Sequence, residues 1–322
     1  MLTRFPVIVG ATASGKSALA VEVAQRIREA DPEATGAEIL TMDSMQVYHG
    51  LDIGTAKPSR EEMGGIPHHL IDLVDPTEPE PTPFTVDDWL GRAESLIEEM
   101  RGSGRVPVVV GGTHLYAKAL LEGLFKGPDP DPELREQLAS LSAQERRAEL
   151  ERVDPDAAKR IHPNDDRRTI RALEIFRLTG VPISEHQRQW DSSSGPRQDA
   201  LLVGIDWPAE ELSRRINERV RHMVERGLIA EAHALYDAGA LRPGTQPAES
   251  LGYKQLIPYY ERRSSRSEAV ERIKIETRRF AKNQRTWLRR LRSTPGSVWI
   301  DASAVPASDW AKVVLNALKQ ST

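Results

Sequence analysis

The segment GATASGKS, Gly10 to Ser17, limits the fold of this chain more than any other. It follows the apolar run PVIVG and precedes a stretch in which Leu19, Val23 and Ile27, with Ala20 and Ala24, recur at helical spacing. It matches G-x-x-x-x-G-K-[ST] in the strand–loop–helix setting that gives the pattern its meaning. Glycines there let backbone N–H groups wrap phosphate oxygens. Lys16 reaches the terminal phosphates, Ser17 can ligate Mg²⁺, and the helix N-terminus adds its dipole. The sequence thus predicts a loop for a diphosphate or triphosphate group, built from Gly10, Ala11, Thr12, Ala13, Ser14, Gly15, Lys16 and Ser17. A plain strand-to-helix turn would have no use for Lys16.

The neighbouring runs specify the sheet around that loop. EILTMD, HLIDLV and VPVVVGG, and later LLVGIDW and VWIDAS, are unbroken apolar runs separated by helical patterns, as strands covered on both faces require. The fold class predicted is α/β: a P-loop NTPase-like parallel sheet flanked by helices, with an all-helical insertion domain. Residues 1–125 and 191–322 form the expected core. Residues 126–190 form the insertion, which opens at the linker GPDPDP and runs to about Trp190. Its helix starts are Ser142 with Glu145 as a capping box, Asp154 before Pro155, and Asn164 opening NDDRRTIRALEIFRLTG, which Gly180 closes. Two helical stretches follow, from about Glu210 to Tyr236 and from Ser267 to Leu291.

Composition removes whole classes of chemistry. The 322 residues contain no cysteine, which excludes disulfides, thiolate nucleophiles, cysteine-ligated zinc and any zinc-finger extension. The N-terminus MLTRFPVIVG lacks the features of a signal peptide and no apolar run is long enough to span a bilayer, so a cytoplasmic protein with no membrane contact is expected. Charge is uneven: residues 31–100 hold sixteen acids against Lys57, Arg60 and Arg92, whereas residues 261–292 hold twelve bases against four acids. Such asymmetry points to a polyanion at one end of the molecule, or to a solvated basic helix.

A nucleotide hydrolase would need an acid at the end of a second strand to hold its metal. VPVVVGGTHLY ends in glycine and threonine instead. EILTMD ends in Asp43, a carboxylate leaving a strand beside the loop, placed as a general base or as a loop-forming aspartate. Further along, Arg219 lies near the apolar stripe Leu212, Ile216, Val220 and Met223, where it needs either a diphosphate or a carboxylate as partner. Arg278, Lys282, Arg285, Arg289 and Arg292 recur along one helical face, a stripe able to follow a phosphate backbone. Trp287, with Phe280 and Leu291, reads as a core anchor ahead of a base-stacking platform. Arg167, Arg168 and Arg171 share a second helical face. His68, His69 and His114 read as capping or packing residues ahead of metal ligands.

Taken together, GATASGKS, DSMQVYHGLDIGTAKP, PHHLIDLVDP, VVVGGTHLY, IHPNDDRRTIRALEIF, RRINERVRHMVERGL, ESLGYKQ and KNQRTWLRR resemble the tRNA dimethylallyltransferases of bacteria, in the family's order and over nearly the whole chain. The resemblance implies that the loop grips dimethylallyl diphosphate rather than ATP, with Mg²⁺ as cofactor. It also implies transfer of the prenyl group to N6 of A37, the adenine beside the anticodon. It assigns catalysis to Asp43, Thr113 and Arg219, with Asp43 taking the N6 proton while Ser44, Met45 and Gln46 hold the adenine. It assigns contact with the anticodon stem-loop of tRNA to Arg135, Arg167, Arg168, Arg171, Gly252, Tyr253, Lys254, Lys282, Gln284, Arg285 and Arg289, on a monomer. The loop begins Gly-Ala-Thr where many relatives have Gly-Pro-Thr, a departure that leaves Thr12, Gly15, Lys16 and Ser17 in place. Three rivals remain on the residues alone: a small-molecule kinase, a prenyltransferase acting on free adenine nucleotides, and a non-catalytic RNA-binding module.

Overall fold

The structure is a computed structural model that describes residues 2–78, 83–124, 127–187 and 197–320. It divides into two units, Met1–Ala119 with Gln198–Thr322, and Leu120–Arg197. The expected insertion boundaries at Lys126 and Trp190 lie outside the described residues.

The first unit is built on a six-stranded sheet in which every pair is parallel. Its strands are β1 (Phe5–Gly10), β2 (Gly36–Met42), β3 (His68–His69), β4 (Arg105–Gly111), β5 (Ala200–Asp206) and β6 (Val298–Asp301), in the order β3-β2-β4-β1-β5-β6. All six residues of β1 are buried, as a central strand covered on both faces demands. Its Val7 faces Val109 on one side and Leu202 on the other. The helices α1 (Lys16–Gln25), α2 (Val86–Gly102) and α3 (His114–Glu122) follow β1, the β3 region and β4. Trp89 of α2 is fully buried, stacks on Tyr116 at 4.8 Å and donates its Nε1–H to the carbonyl of Thr41 at 2.9 Å.

One expected strand is shorter than its sequence. Of HLIDLV only its first residue, His69, pairs with β2, continuing from His68 just before it. Leu70 and Asp72 both take positive φ, 64° and 49°, and a chain in that region leaves the ladder. Lys57 stabilises the departure: buried, it donates to Asp52 at 2.6 Å, to Asp72 at 2.5 Å and to the carbonyl of Tyr48 at 2.9 Å.

The second unit is helical among its described residues: α4 (Pro132–Ser140), α5 (Ala143–Val153), α6 (Pro155–Arg160) and α7 (Asp166–Thr179). Leu138, Leu150, Ala157, Ala158, Ala172 and Leu173 form its core. Burying a leucine fully is worth roughly 1.5–3 kcal/mol, so Leu138 and Leu150 anchor the unit. Ser142 and Glu145 make the predicted reciprocal capping box. Asp154 caps α6, one oxygen taking Ala157 N–H at 2.9 Å and the other Ser184 N–H at 2.9 Å. Helix α7 is capped by Asp165 rather than by Asn164, because the Asp165 side chain is the one that accepts from Arg168 N–H. Gly180 closes α7 with φ 73°.

Back in the first unit, the stretch expected from Glu210 to Tyr236 breaks into α8 (Ala209–Glu225) and α9 (Leu228–Asp237) at Gly227, whose φ of 105° ends a helix. After α10 (Ile257–Tyr260) comes the long α11 (Arg266–Leu291), then β6 and α12 (Trp310–Lys319).

Candidate active site and nucleic-acid interface

The strand order places the carboxyl ends of β1, β4 and β2 side by side, and the predicted catalytic residues Asp43 and Thr113 leave two of those ends, next to the loop that leaves the third. After β1 the chain turns through Ala13 at φ 62° and Gly15 at φ 94° into the first residue of α1, Lys16. A methyl group on Gly10 would stand 2.5 Å from Ser14 Oγ, and one on Gly15 would meet the ring of Trp310 at 3.2 Å. The carbonyls of this loop are engaged elsewhere. Ala11 O accepts from Ser14 N–H at 3.1 Å and from Lys16 Nζ at 3.4 Å. Ala13 O accepts from Arg215 Nε at 2.9 Å, and Ser14 O from Trp207 Nε1 at 2.9 Å. Arg215 lies over Trp207 at 4.4 Å, and Trp207 meets Trp310 edge-on at 6.1 Å.

At the end of β2, Asp43 is half-buried and one of its oxygens accepts from Met45 N–H at 2.9 Å. Thr113, just past β4, accepts from Ser44 N–H at 3.1 Å and donates its own N–H to Met42 O at 3.4 Å. This closeness explains the Gly111 side of the turn, where an added Cβ would fall 1.9 Å from Met42 O. Gln46 is buried and donates to the carbonyls of Thr55 and Ala56 at 3.1 and 3.3 Å. Ser17 is exposed at the second position of α1.

Asp43, Lys16 and Arg219 act on one another electrostatically. Burial and then the Arg219 charge bring the Lys16 ammonium down to about 8, against the opposing pull of Asp43. Burial likewise lowers Arg219, opposed by Asp43 and Glu62. Two cations are thus held together in a partly desolvated place with one carboxylate nearby, a balance that an anion would improve. The Ser17 hydroxyl is an oxygen donor of the kind that suits Mg²⁺, which takes few protein oxygens and completes its shell from phosphates and water.

The basic stripe on α11 divides. Lys282 and Arg289 are exposed, and Arg285 is half-buried, its Nε without a hydrogen-bond partner among the described residues. The stripe's two ends turn back into the protein: Arg278 donates to Asn217, and Arg292, just beyond the helix, donates to Asp206 at 2.8 Å and lies over Trp299 at 5.1 Å. Trp287 is half-buried with its ring 5.6 Å from His114, and Leu291 is buried. Phe280, whose helical spacing supported reading Trp287 as a core anchor, stands in solvent at 43% exposure. Gln284 is buried, 4% exposed, on the inner face of the same helix. In the ESLGYKQ segment Lys254 is exposed and paired with Glu249, while Tyr253 is fully buried. Its hydroxyl accepts from Gly54 N–H at 3.1 Å and donates to Glu231 at 2.6 Å, and Gly252, at φ 97°, turns the chain beside Gly54.

In the helical unit Arg167 and Arg168 are exposed on the first turns of α7. Arg135 and Arg171 instead converge on Glu174. The predicted packing histidines find partners: His68 lies 2.8 Å from Ile66 O and His69 2.7 Å from Glu38. A groove of about 570 Å³ opens between α8 and α11, lined by Arg214, Asn217, Arg221 and Lys274 among others, and none of the predicted site residues lines it. Sequence reasoning missed Arg215, Trp207 and Glu231, which shape the loops from a distance of about 200 residues in the chain. Arg215 lies one turn before Arg219 on α8, the single local sign that it faces the same way.

The chain is similar to known proteins over most of its length. The family model for IPP transferase matches residues 46–291, and that for isopentenyl transferase matches residues 3–73. A tRNA dimethylallyltransferase 1 of Trichlorobacter lovleyi is 42% identical over 93% of this chain and 94% of its own length. A tRNA dimethylallyltransferase of Geobacillus kaustophilus is 44% identical over 90% of this chain and 88% of its own. Among solved structures, the tRNA isopentenylpyrophosphate transferase of Bacillus halodurans superposes with a TM-score of 0.69 at 37% identity, covering 99% of this chain and 98% of that one. A eukaryotic dimethylallyltransferase acting on tRNA gives 0.79 at 28% identity, over 97% of this chain and 78% of its own. With a loop whose carbonyls are tied to its own protein, a carboxylate leaving a strand of the same sheet, and relatives this similar over this much of their length, the chain belongs to the tRNA dimethylallyltransferase family.

Proposed function

We propose that this protein transfers a dimethylallyl group from dimethylallyl diphosphate to N6 of adenine 37 in tRNA. The observation that carries the proposal is the pairing of Lys16 and Arg219 beside Asp43, because it supplies cations for a leaving diphosphate and a base for the incoming amine in one place. The bond from the prenyl carbon to the diphosphate oxygen breaks, a bond from N6 to that carbon forms, the N6 proton passes to Asp43, and diphosphate departs. One Asp43 oxygen is oriented by Met45 N–H, leaving the other for the proton. Lys16, Arg219 and the loop N–H groups take up the charge that grows on the leaving group. Thr113, its hydroxyl oxygen occupied by Ser44 N–H, keeps its own proton to donate toward that diphosphate. Mg²⁺ held by Ser17 would add charge neutralisation to the diphosphate.

The adenine must leave the anticodon stack to reach Asp43, and Ser44, Met45 and Gln46 line its way. Lys282, Arg285 and Arg289 on α11, Lys254, and Arg167 and Arg168 on α7 supply phosphate contacts to the anticodon stem-loop. No helix among the described residues is long and apolar enough to cross a membrane. The enzyme works as a cytoplasmic monomer.

The test is transfer of label from dimethylallyl diphosphate to unmodified tRNA with Mg²⁺, run beside free AMP and beside ATP consumption. Label in tRNA alone supports the proposal. Label in AMP, or phosphate release from ATP without prenylation, replaces it with a nucleotide prenyltransferase or a kinase.

A further inference from the structure

Helix α11 bears the exposed cations Lys282 and Arg289 on one side and, on the other, a single buried amide that reaches into the donor loop. Gln284 Oε1 accepts the N–H of Thr12 at 2.8 Å, and Gln284 Nε2 donates to the carbonyl of Gly112 at 3.0 Å. Thr12 belongs to the phosphate loop after β1 and Gly112 to the turn that presents Thr113 after β4. The two turns meet here, since a Cβ on Gly112 would lie 3.4 Å from Gly10 O, 3.6 Å from Lys16 Cε and 2.7 Å from Gln284 Nε2.

We infer that Gln284 is a positioning residue for the donor, a strut that sets the phosphate loop against the Gly112–Thr113 turn, and not one of the RNA contacts around it. The inference rests on the transferase reading above. A primary amide suits this position because it carries one acceptor and one donor at the distance between an N–H and a C=O on adjacent turns. By accepting from Thr12 it also withdraws one loop N–H from phosphate binding and fixes the peptide plane between Ala11 and Thr12. The Gly112 environment says the same from the other side, because a methyl group there would collide with the amide before anything else.

Two variants test this independently. Gln284→Met keeps the volume and removes both hydrogen bonds, leaving the half-buried Thr12 N–H and the buried Gly112 carbonyl without that partner. Gly112→Ala keeps Gln284 and displaces only the end of its flexible side chain. Each is assayed for donor KM at saturating tRNA, for kcat, for tRNA Kd in the absence of donor, and for Tm. The expectation is a rise of about tenfold or more in donor KM in both variants, as loss of hydrogen bonds to buried groups produces, with tRNA Kd within about twofold of wild type. A weakened tRNA Kd with unchanged donor KM makes Gln284 an RNA contact and overturns the inference; so does no change in either. Should Gln284→Met fail to fold, Gly112→Ala decides. Wild-type enzyme that prenylates tRNA while the variants fail these expectations refutes the strut alone, whereas wild-type enzyme without transfer refutes the transferase reading and the strut with it.

Discussion

Arg135 and Glu174 are joined by two hydrogen bonds, 2.8 Å from Nε and 3.1 Å from Nη2, although Glu174 is fully buried and Arg135 is 43% exposed. Arg171 adds a third at 2.6 Å and Asp131 N–H a fourth at 2.9 Å. Burial pushes the Glu174 carboxyl up, but the two guanidinium groups and the Asp131 amide outweigh it and hold the group below the ordinary glutamate value. A depressed folded-state value gives stability that is fully present above the unfolded value of about 4.3 and is lost as pH falls through the lower folded-state value. Glu174→Gln should therefore lower stability near neutral pH by about 2 kcal/mol, less than a fully buried pair because both arginines reach solvent. Urea melts of the two proteins should converge as the pH is taken below about 4.

Asp43→Asn keeps the shape of the β2 terminus and removes the proposed base. A loss of on the order of 10² to 10⁴ in kcat is expected, with tRNA Kd unchanged. Gel-shift titration beside single-turnover transfer measures both, and equal losses in binding and rate would make Asp43 a structural residue.

Burial beside Arg219 lowers the Lys16 ammonium to about 8. If Lys16 grips the donor as proposed, it does so as the ammonium and not as the amine, so affinity for the donor should fall as pH rises through about 8, by at most tenfold per unit. Bound diphosphate stabilises the cation, so binding above that pH should take up a proton, measurable as a buffer-dependent binding heat. Lys16→Met should remove the pH step together with most of the affinity.

Lys282 and Arg289 should account for part of the salt dependence of tRNA binding. Replacing both with alanine should reduce the slope of log K against log salt by about 1.4 to 1.8, the value for two phosphate contacts. Arg278 and Arg292 lie on the same stripe but are bound to Asn217 and Asp206. The salt slopes of Arg278→Ala and Arg292→Ala should match wild type, and a shift there would move the RNA track along the helix.

Local signals were sufficient wherever one segment settles its own structure. The phosphate loop, five of the six strands, the capping box at Ser142 and the long basic helix all follow from short patterns, because each is fixed by neighbours in the chain. They failed where a distant residue decided the outcome. The β3 strand stops after two residues because Lys57 captures Asp72. Phe280 stands exposed in spite of its helical spacing from Trp287. Arg135, Gln284 and Arg171 look like surface polar residues in sequence, yet Glu174, Thr12 and Gly112 claim them. Helical periodicity reports which face a residue lies on; it carries no information about which partner waits there.

The committed carbonyls of the phosphate loop bear on what the enzyme can tell apart. With Ala11, Ala13 and Ser14 oxygens engaged by Lys16, Arg215 and Trp207, this stretch offers a ligand hydrogen-bond donors and positive charge and withholds those acceptors. Such a surface rewards any fully ionised diphosphate and is blind to the hydrocarbon attached to it. Discrimination between a five-carbon prenyl group and a longer one therefore falls to the walls beyond the loop, and the anion grip and the chain-length filter can change independently as sequences diverge.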